Sequence, residues 1–340
     1  MKRRLENILV TGGAGFIGSN FIHYVFKNAT FKGKIINVDK LTYAGNLENV
    51  KDIDEKPNYC FVKGDIANRE LVEYIFEKYI PNYVVNFAAA SHVDRSIEGP
   101  EEFIRSNVYG TQVLLDVAKD FWLKKNMFDY ARFLQISTDE VYGSLPLESS
   151  EKFTEESPLK PNSPYSASKA SADLIMRAYF VTYGMPVLIT RSSNNFGPRQ
   201  YPEKLIPLMI TNAMQGIPLP VYGDGQNVRD WIYIDDNCRG IDTVLHKGRI
   251  GEIYNIGGGN EWKNINLVNL ICEILAEVTE KPVDEYKKLI TFAKDRPGHD
   301  RRYALSIENM KREFSWVPIS DFKEDMRKTV NWYVTHAEDR

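Results

Sequence analysis

Cysteine is scarce in this chain, and what there is excludes two constructions. The three cysteines, Cys60, Cys238 and Cys272, are scattered, with no C-x-x-C spacing. That is neither a disulfide frame nor a thiolate zinc site, and it suits reduced thiols. Long apolar runs are missing too. Met1-Lys2-Arg3-Arg4 is basic, but only Ile8-Leu9-Val10 precedes the glycines, too short for a signal-peptide core, and no run approaches a membrane span. A large charge of one sign is absent: the formal net charge is −3, which offers no basic field for nucleic acid or an anionic membrane. Internal repeats and low-complexity tracts are also absent. These absences predict a soluble cytoplasmic protein without a metal, a nucleic-acid partner or a membrane partner.

What is present is organised. The 340 residues suffice for one sizeable core and a second lobe. Apolar runs at Asn7–Thr11, Lys34–Val38, Tyr59–Lys63, Tyr83–Phe87, Ala131–Ile136 and Pro186–Thr190 read as strands. Helical patterns lie between them, at Glu70–Tyr79, Phe103–Trp122 and Tyr165–Tyr183. Such alternation predicts an α/β fold: a Rossmann-type, doubly wound parallel sheet. After Asn194 the elements become shorter and are punctuated by Gly and Pro. The division expected is a sheet domain at 1–194 and a smaller mixed α/β lobe at 195–340, some of which returns to the sheet. Helix Phe103–Trp122 is apolar on more than one side, which fits either a neighbouring helix or a symmetry mate.

The first strand runs into Thr11-Gly12-Gly13-Ala14-Gly15-Phe16-Ile17-Gly18. The glycines fit both G-x-G-x-x-G and G-x-x-G-x-x-G, which lets a pyrophosphate approach the backbone at a helix N-terminus. The second strand ends at Asp39, near the expected distance of about 20 residues, where a carboxylate accepts ribose hydroxyls and repels a 2′-phosphate. NAD is therefore favoured over NADP, although Lys40 beside it weakens the point. Asp65 and Ile66, after the third strand, are placed to bracket the adenine. The small residues Ala88, Ala89 and Ser91 after Phe87 leave room for a cofactor against the sheet edge. His92 reads as structural.

Two further patterns carry chemistry. Ser163-Pro164-Tyr165 reads as a helix start, with Ser163 as N-cap and Pro164 at the first position. Tyr165 and Lys169 then share one helix face. The helix dipole and the ammonium are expected to favour a phenolate that takes a proton from a sugar hydroxyl. Thr138, Asp139 and Glu140 stand where the fifth strand ends, where ligands bind in open α/β sheets. Extended geometry would point Asp139 and Glu140 to opposite sides, and their proximity would raise one pKa, giving one acid and one base. Alcohol oxidation alone needs only the Tyr/Lys pair, so the added carboxylates suggest elimination of water.

These stretches resemble the extended short-chain dehydrogenase/reductase family, and Ser137–Gly143 resembles its nucleotide-sugar 4,6-dehydratase branch. Further markers are Asp39–Asn46, Ser91–Ser96, Asn194–Pro198, Pro202–Pro207, Gly223–Trp231 and Asp295–Arg302. The resemblance implies catalysis on a nucleotide-diphosphate sugar, with dTDP-glucose expected and NAD regenerated each turnover. It implies that Tyr165 deprotonates the sugar 4-hydroxyl, Thr138 hydrogen-bonds it, and Lys169 holds the nicotinamide ribose and Tyr165. Glu140 would then remove the C5 proton, and Asp139 would protonate the departing 6-hydroxyl. Thr42, Ser106 and Asn195 would border the cofactor. Ser91, Asn194, Lys204, Leu205, Pro220, Val221, Tyr222, Arg229, Asn264, Asp295, Arg296, Pro297, Gly298 and His299 would contact the nucleotide sugar. A homodimer through helices Phe103–Trp122 and Tyr165–Tyr183 is implied as well.

The chain departs from the family pattern at Ala90, Phe196 and Asn237, where Glu, Tyr and His are common. Two other readings stay open. One is a related enzyme of this fold, such as a 4-epimerase, a decarboxylase or a dehydratase for UDP-, CDP- or GDP-sugars. The other is a non-catalytic NAD-binding sensor or scaffold.

Overall fold

The computed structural model describes residues 7–29 and 31–336. The first half of the chain supplies strands β1 (Asn7–Thr11), β2 (Lys34–Asp39), β3 (Tyr59–Lys63), β4 (Tyr83–Asn86), β5 (Arg132–Thr138) and β6 (Val187–Ser192). The second half adds β7 (Asn194–Phe196), β8 (Leu219–Tyr222), β9 (Val228–Tyr233), β10 (Ile253–Ile256), β11 (Glu261–Lys263) and β12 (Ile290–Ala293). Seven of them form one sheet in the order β3-β2-β1-β4-β5-β6-β10, with every pairing parallel. The order reverses between β1 and β4, and a doubly wound sheet opens its ligand crevice at such a switch point.

The strands read as unbroken apolar runs because both faces are covered. Ile8, Val10, Ile35, Val85 and Leu134 pack on one side. Leu9, Ile36, Val84 and Phe133 pack on the other, as the two-residue repeat of a strand requires. The first face lies under helices Phe16–Lys27 and Ile234–Lys247. The opposite face lies under Arg69–Tyr79, Gly110–Lys124 and Pro164–Tyr183. Strand β10 and helix Ile234–Lys247 thus carry the second half of the chain back to the sheet. A third core joins Phe196, Leu219, Val221 and Trp231 to helices Leu205–Gln215, Asn264–Thr279 and Phe322–Thr335.

The stretch Phe103–Trp122 is not one regular helix. A π turn at Ile104–Tyr109 interrupts it before Gly110–Lys124, and π turns often sit at functional sites. Here the π turn carries Asn107, whose amide donates to the Ala90 carbonyl (3.0 Å) and to Ser168 Oγ (2.8 Å). Its oxygen accepts from the Ala90 N–H at 2.9 Å. Asn107 therefore joins the loop after β4 to the helix of Tyr165. Gly110 follows because a Cβ there would lie 2.7 Å from Ile66. The apolar residues Phe103, Leu114, Leu115, Val117, Ala118 and Phe121 are buried within the chain, so intramolecular packing accounts for them.

Trp122 is fully buried and donates its indole N–H to the Pro81 carbonyl at 2.8 Å. Trp122→Ala should lower unfolding free energy by about 3–5 kcal/mol. Denaturant titration monitored by circular dichroism measures this, and a loss below about 1 kcal/mol would show that the site collapses without cost.

Candidate active site

One cavity at the carboxyl edge of the sheet gathers every residue assigned above to the cofactor. Its floor is the glycine turn. Gly12 has φ +68°, and a Cβ there would sit 2.7 Å from the Ala88 nitrogen. A Cβ on Gly18 would lie 2.4 Å from the Gly12 carbonyl oxygen. Only bare backbone leaves this cradle open at the N-terminus of helix Phe16–Lys27, as a pyrophosphate requires. Asp39 is buried, and its oxygens accept from the Ala14 N–H (2.9 Å) and the Leu41 N–H (2.8 Å), which fixes the carboxylate at the cavity wall. Lys40 does not weaken discrimination against a 2′-phosphate. Its ammonium is engaged by Asp65 (3.2 Å) and Glu102 (3.1 Å), so a phosphate there would meet three carboxylates. The residues fit NAD.

At the inner end stand Thr138, Asp139, Glu140, Tyr165 and Lys169. The N-cap reading of Ser163 holds, since Ser163 and Ser166 form a reciprocal capping box with Pro164 in the first turn. Ser96 Oγ accepts the Tyr165 N–H at 3.2 Å. Two expectations are corrected. Asp139 and Glu140 are not extended but open a 3₁₀ turn, Asp139–Tyr142, with Thr138 as its N-cap accepting the Glu140 N–H. The Tyr165 phenol is pushed up, not down, by burial and by Glu140 and Asp139. The Lys169 ammonium donates to the Ile136 carbonyl at 2.6 Å. Burial brings the Lys169 ammonium down to about 8.

Both carboxyls are raised, by burial more than by each other. Asp139 is held well above the usual carboxylate range by burial, then by Glu140 and Asp230. One of its oxygens, Oδ2, is buried without a hydrogen-bond partner in the chain. Glu140 is also raised by burial, but Arg296, Lys204 and Arg229 pull it back. Asp139 is thus the more strongly raised of the two, and Glu140 has more cations around it.

Ser91, Asn194, Lys204 and Leu205 line the same cavity, whereas Pro220, Val221, Tyr222, Arg229, Asn264 and the Asp295–His299 segment do not. Part of the latter set packs beside the cavity. Arg296 lies 3.6 Å from Asp94, and Tyr222 donates to Asp94 at 3.4 Å. Asp295 holds the His299 ring at 2.6 Å, and Pro297 and Gly298 complete that loop, with Gly298 at φ +66°. The Val221 side chain is in the third core and cannot face a ligand. Asn264 Oδ1 is buried and unpartnered. Of the three departures, Ala90 is in the cavity wall, Phe196 is core, and Asn237 accepts from Ser192 Oγ at 2.8 Å. His92 caps helix Val93–Glu98 by accepting the Arg95 N–H, a structural role. Tyr43, Tyr201, Glu203 and Trp231 also line the cavity. Tyr43, Glu203 and Trp231 lay inside marker stretches without being assigned to the site, whereas Tyr201 carried no signal.

The model of the GDP-mannose 4,6 dehydratase family matches residues 9–329. The chain belongs to that family. Within the GDP-mannose 4,6 dehydratase family, it is 50% identical to the dTDP-glucose 4,6-dehydratase of Haemophilus influenzae, over 98% of this chain and 99% of that one. The crystal structure of the Bacillus anthracis dTDP-glucose 4,6-dehydratase in complex with NAD superposes with a TM-score of 0.85. That protein shares 52% identity, and 98% of each chain is covered. The Streptomyces venezuelae dTDP-glucose 4,6-dehydratase, also solved with NAD, gives 0.88 at 46% identity, with 97% of each chain covered.

A raised Asp139 pKa has a consequence for folding. Its contribution is complete while the carboxyl is protonated in both states. It is lost as pH climbs from the unfolded value toward the higher folded one. Asp139→Asn cannot ionise. In denaturant unfolding it should match the parent protein near about pH 4 and exceed it by more than about 1 kcal/mol near about pH 8. Equal stabilities at both values would contradict the assignment.

Proposed function

We propose that this chain is an NAD-dependent hydro-lyase, a dTDP-glucose 4,6-dehydratase, converting dTDP-D-glucose to the 4-keto-6-deoxy sugar and water. The observation that carries this is the buried Asp139–Glu140 turn beside Tyr165 and Lys169 in one cavity, joined to about half identity with enzymes of that name. Bound there, NAD would supply the hydride acceptor for C4 and the hydride donor for C6; Gly12, Gly15, Gly18, Asp39 and Asp65 would hold it, with Lys169 beside its nicotinamide ribose.

The remaining steps belong to the chain. Tyr165, in hydrogen-bond contact with Thr138, takes the proton of the sugar 4-hydroxyl. Burial raises its phenol, and the positive charge that oxidised NAD would bring to the cavity would oppose that displacement. A C4 ketone acidifies the C5 hydrogen, which Glu140 removes. Asp139, kept protonated by burial, gives its proton to the departing 6-hydroxyl. Lys204, Arg229 and Arg296 carry positive charge suited to the diphosphate, and they also steady the Glu140 carboxylate. A 4-epimerase needs no acid and base for C5 and C6, so the turn speaks against that reading. A cofactor sensor would not need the carboxylates at all.

The test is incubation with dTDP-glucose, followed by mass analysis for loss of one water. Tyr165→Phe should suppress all turnover. Glu140→Gln and Asp139→Asn should still reduce cofactor but lose elimination by about 10²–10⁴-fold. Unchanged elimination in both variants would contradict the assigned roles.

The reading includes a homodimer and a cytoplasmic setting, the latter suited to three free thiols. Ile104 and Tyr109 are exposed on the π turn and Leu123 at the end of helix Gly110–Lys124, and Leu174, Val181 and Tyr183 are exposed on helix Pro164–Tyr183. Pairing these helices with a second copy covers both sets. Light scattering at micromolar protein should return twice the chain mass, and Leu174→Arg with Val181→Arg should reduce it to one chain. A monomeric parent protein would end the proposal.

A further inference from the structure

The stretch Lys160-Pro161-Asn162 leads into the helix of Tyr165 and has no part in the steps above. It is held from two sides. On one side, the Lys160 N–H donates to the Val141 carbonyl at 3.0 Å, inside the 3₁₀ turn that carries Asp139 and Glu140. Gly143, at φ +87°, ends that turn where a Cβ would meet the Lys160 carbonyl. On the other side, Asn162 Nδ2 donates to Asp300 Oδ1 at 2.6 Å. Gly298, at φ +66°, passes so close that a Cβ there would lie 2.9 Å from the Asn162 carbonyl oxygen.

Asp300 is buried, and its carboxylate serves two neutral donors, the Asn162 amide on Oδ1 and the Tyr303 phenol on Oδ2. Its backbone carbonyl accepts from Arg229 Nη2 at 2.9 Å and from Asn227 Nδ2 at 3.1 Å. The Arg229 guanidinium also stands 4.3 Å from the centre of the Tyr303 ring. One residue therefore joins β9, where Arg229 stands, to the residue just before the Ser163 cap. Hydrogen bonds to an ionised carboxylate are roughly twice as strong as those between neutral groups. Removing either donor would leave a buried carboxylate oxygen short of a partner.

We propose that Asp300 is a positioning residue: its side chain fixes the start of the Tyr165 helix against the segment whose backbone anchors Arg229. The arginine suited to the diphosphate and the phenol that acts on the sugar are thereby kept at one spacing. The consequence for catalysis rests on the dehydratase reading, whereas the hydrogen bonds stand without it. A misplacement of reacting groups by about 1 Å can cost about 10²-fold in rate, so a tie at this point is felt in turnover.

The two side chains can be exchanged. Asp300→Asn alone offers one oxygen to two donors that approach different oxygens, so one bond is lost. Asn162→Asp alone sets a second carboxylate against the first, and because Asn162 is exposed it opens no cavity. The double variant, Asn162→Asp with Asp300→Asn, restores both bonds: the amide at position 300 donates to position 162 and keeps its oxygen toward Tyr303. The test is steady-state kinetics with dTDP-glucose in the NAD-loaded proteins, with amide hydrogen exchange over residues 163–169 followed in parallel. In Asn162→Asp, kcat should fall by about tenfold or more and exchange should quicken. Both should return to within about threefold of the parent in the double variant. KM should stay within about threefold throughout, because no substitution removes the Asp300 carbonyl that holds Arg229. Single variants that keep the parent kcat, or a double variant that does not recover or does not fold, overturn the proposal. If Asn162→Asp does not fold, Asp300→Asn compared with the double variant decides in the same way. Absence of turnover in the parent would count against the dehydratase reading, and exchange then decides alone. Recovery of protection in the double variant supports the positioning role of Asp300, and equal exchange in all the proteins overturns it.

Discussion

Burial of charge at the end of β5 is the constraint on which the rest of the site depends. Asp139, Glu140, Tyr165 and Lys169 are all displaced from their ordinary pKa values chiefly by loss of water. The sheet end must hold these groups in place against that loss of water. A parallel sheet covered on both faces can supply that rigidity. Adjacent backbone hydrogen bonds hold Thr138 opposite Ser192, while Lys169 is clamped to the Ile136 carbonyl on the strand.

The compensation comes largely from the other half of the chain. Lys204, Arg229 and Arg296, which draw Glu140 back toward the ionised form, all lie beyond the last strand of the first half. Lys204 is tied to the Ser91 carbonyl at 2.7 Å, and Arg229 donates to the Asp300 carbonyl. Neither core alone sets the different surroundings of Asp139 and Glu140. In the proposed reaction the same cations would face the diphosphate, so one set of groups would serve both the nucleotide and Glu140.

Much of the fold was legible because its strands are buried on both faces and read as apolar runs, Ile8-Leu9-Val10 and Phe133-Leu134 among them. The glycine turn, Asp39 and the Ser163 cap were legible because each has a local backbone cause. Three features were not. The π turn at Ile104–Tyr109 depends on Asn107 reaching Ala90 and Ser168, partners distant in sequence. The direction of the Tyr165 displacement depends on how deeply the helix N-terminus is covered, and the helix dipole, a surface-scale effect, loses to desolvation there. Val221 sits in a motif-bearing stretch, yet β8 turns its side chain into the third core, a choice made by strand pairing rather than by spacing.

The central claim is that oxidation, elimination and reduction occur in one closed site without loss of the hydride. Deuterium placed at C4 of dTDP-glucose tests it most directly, with the product read by NMR and mass analysis. The label should reappear at C6, while the hydrogen at C5 should come from solvent through Glu140. Release of the deuterium to water, or its retention at C4 of the product, would contradict the account.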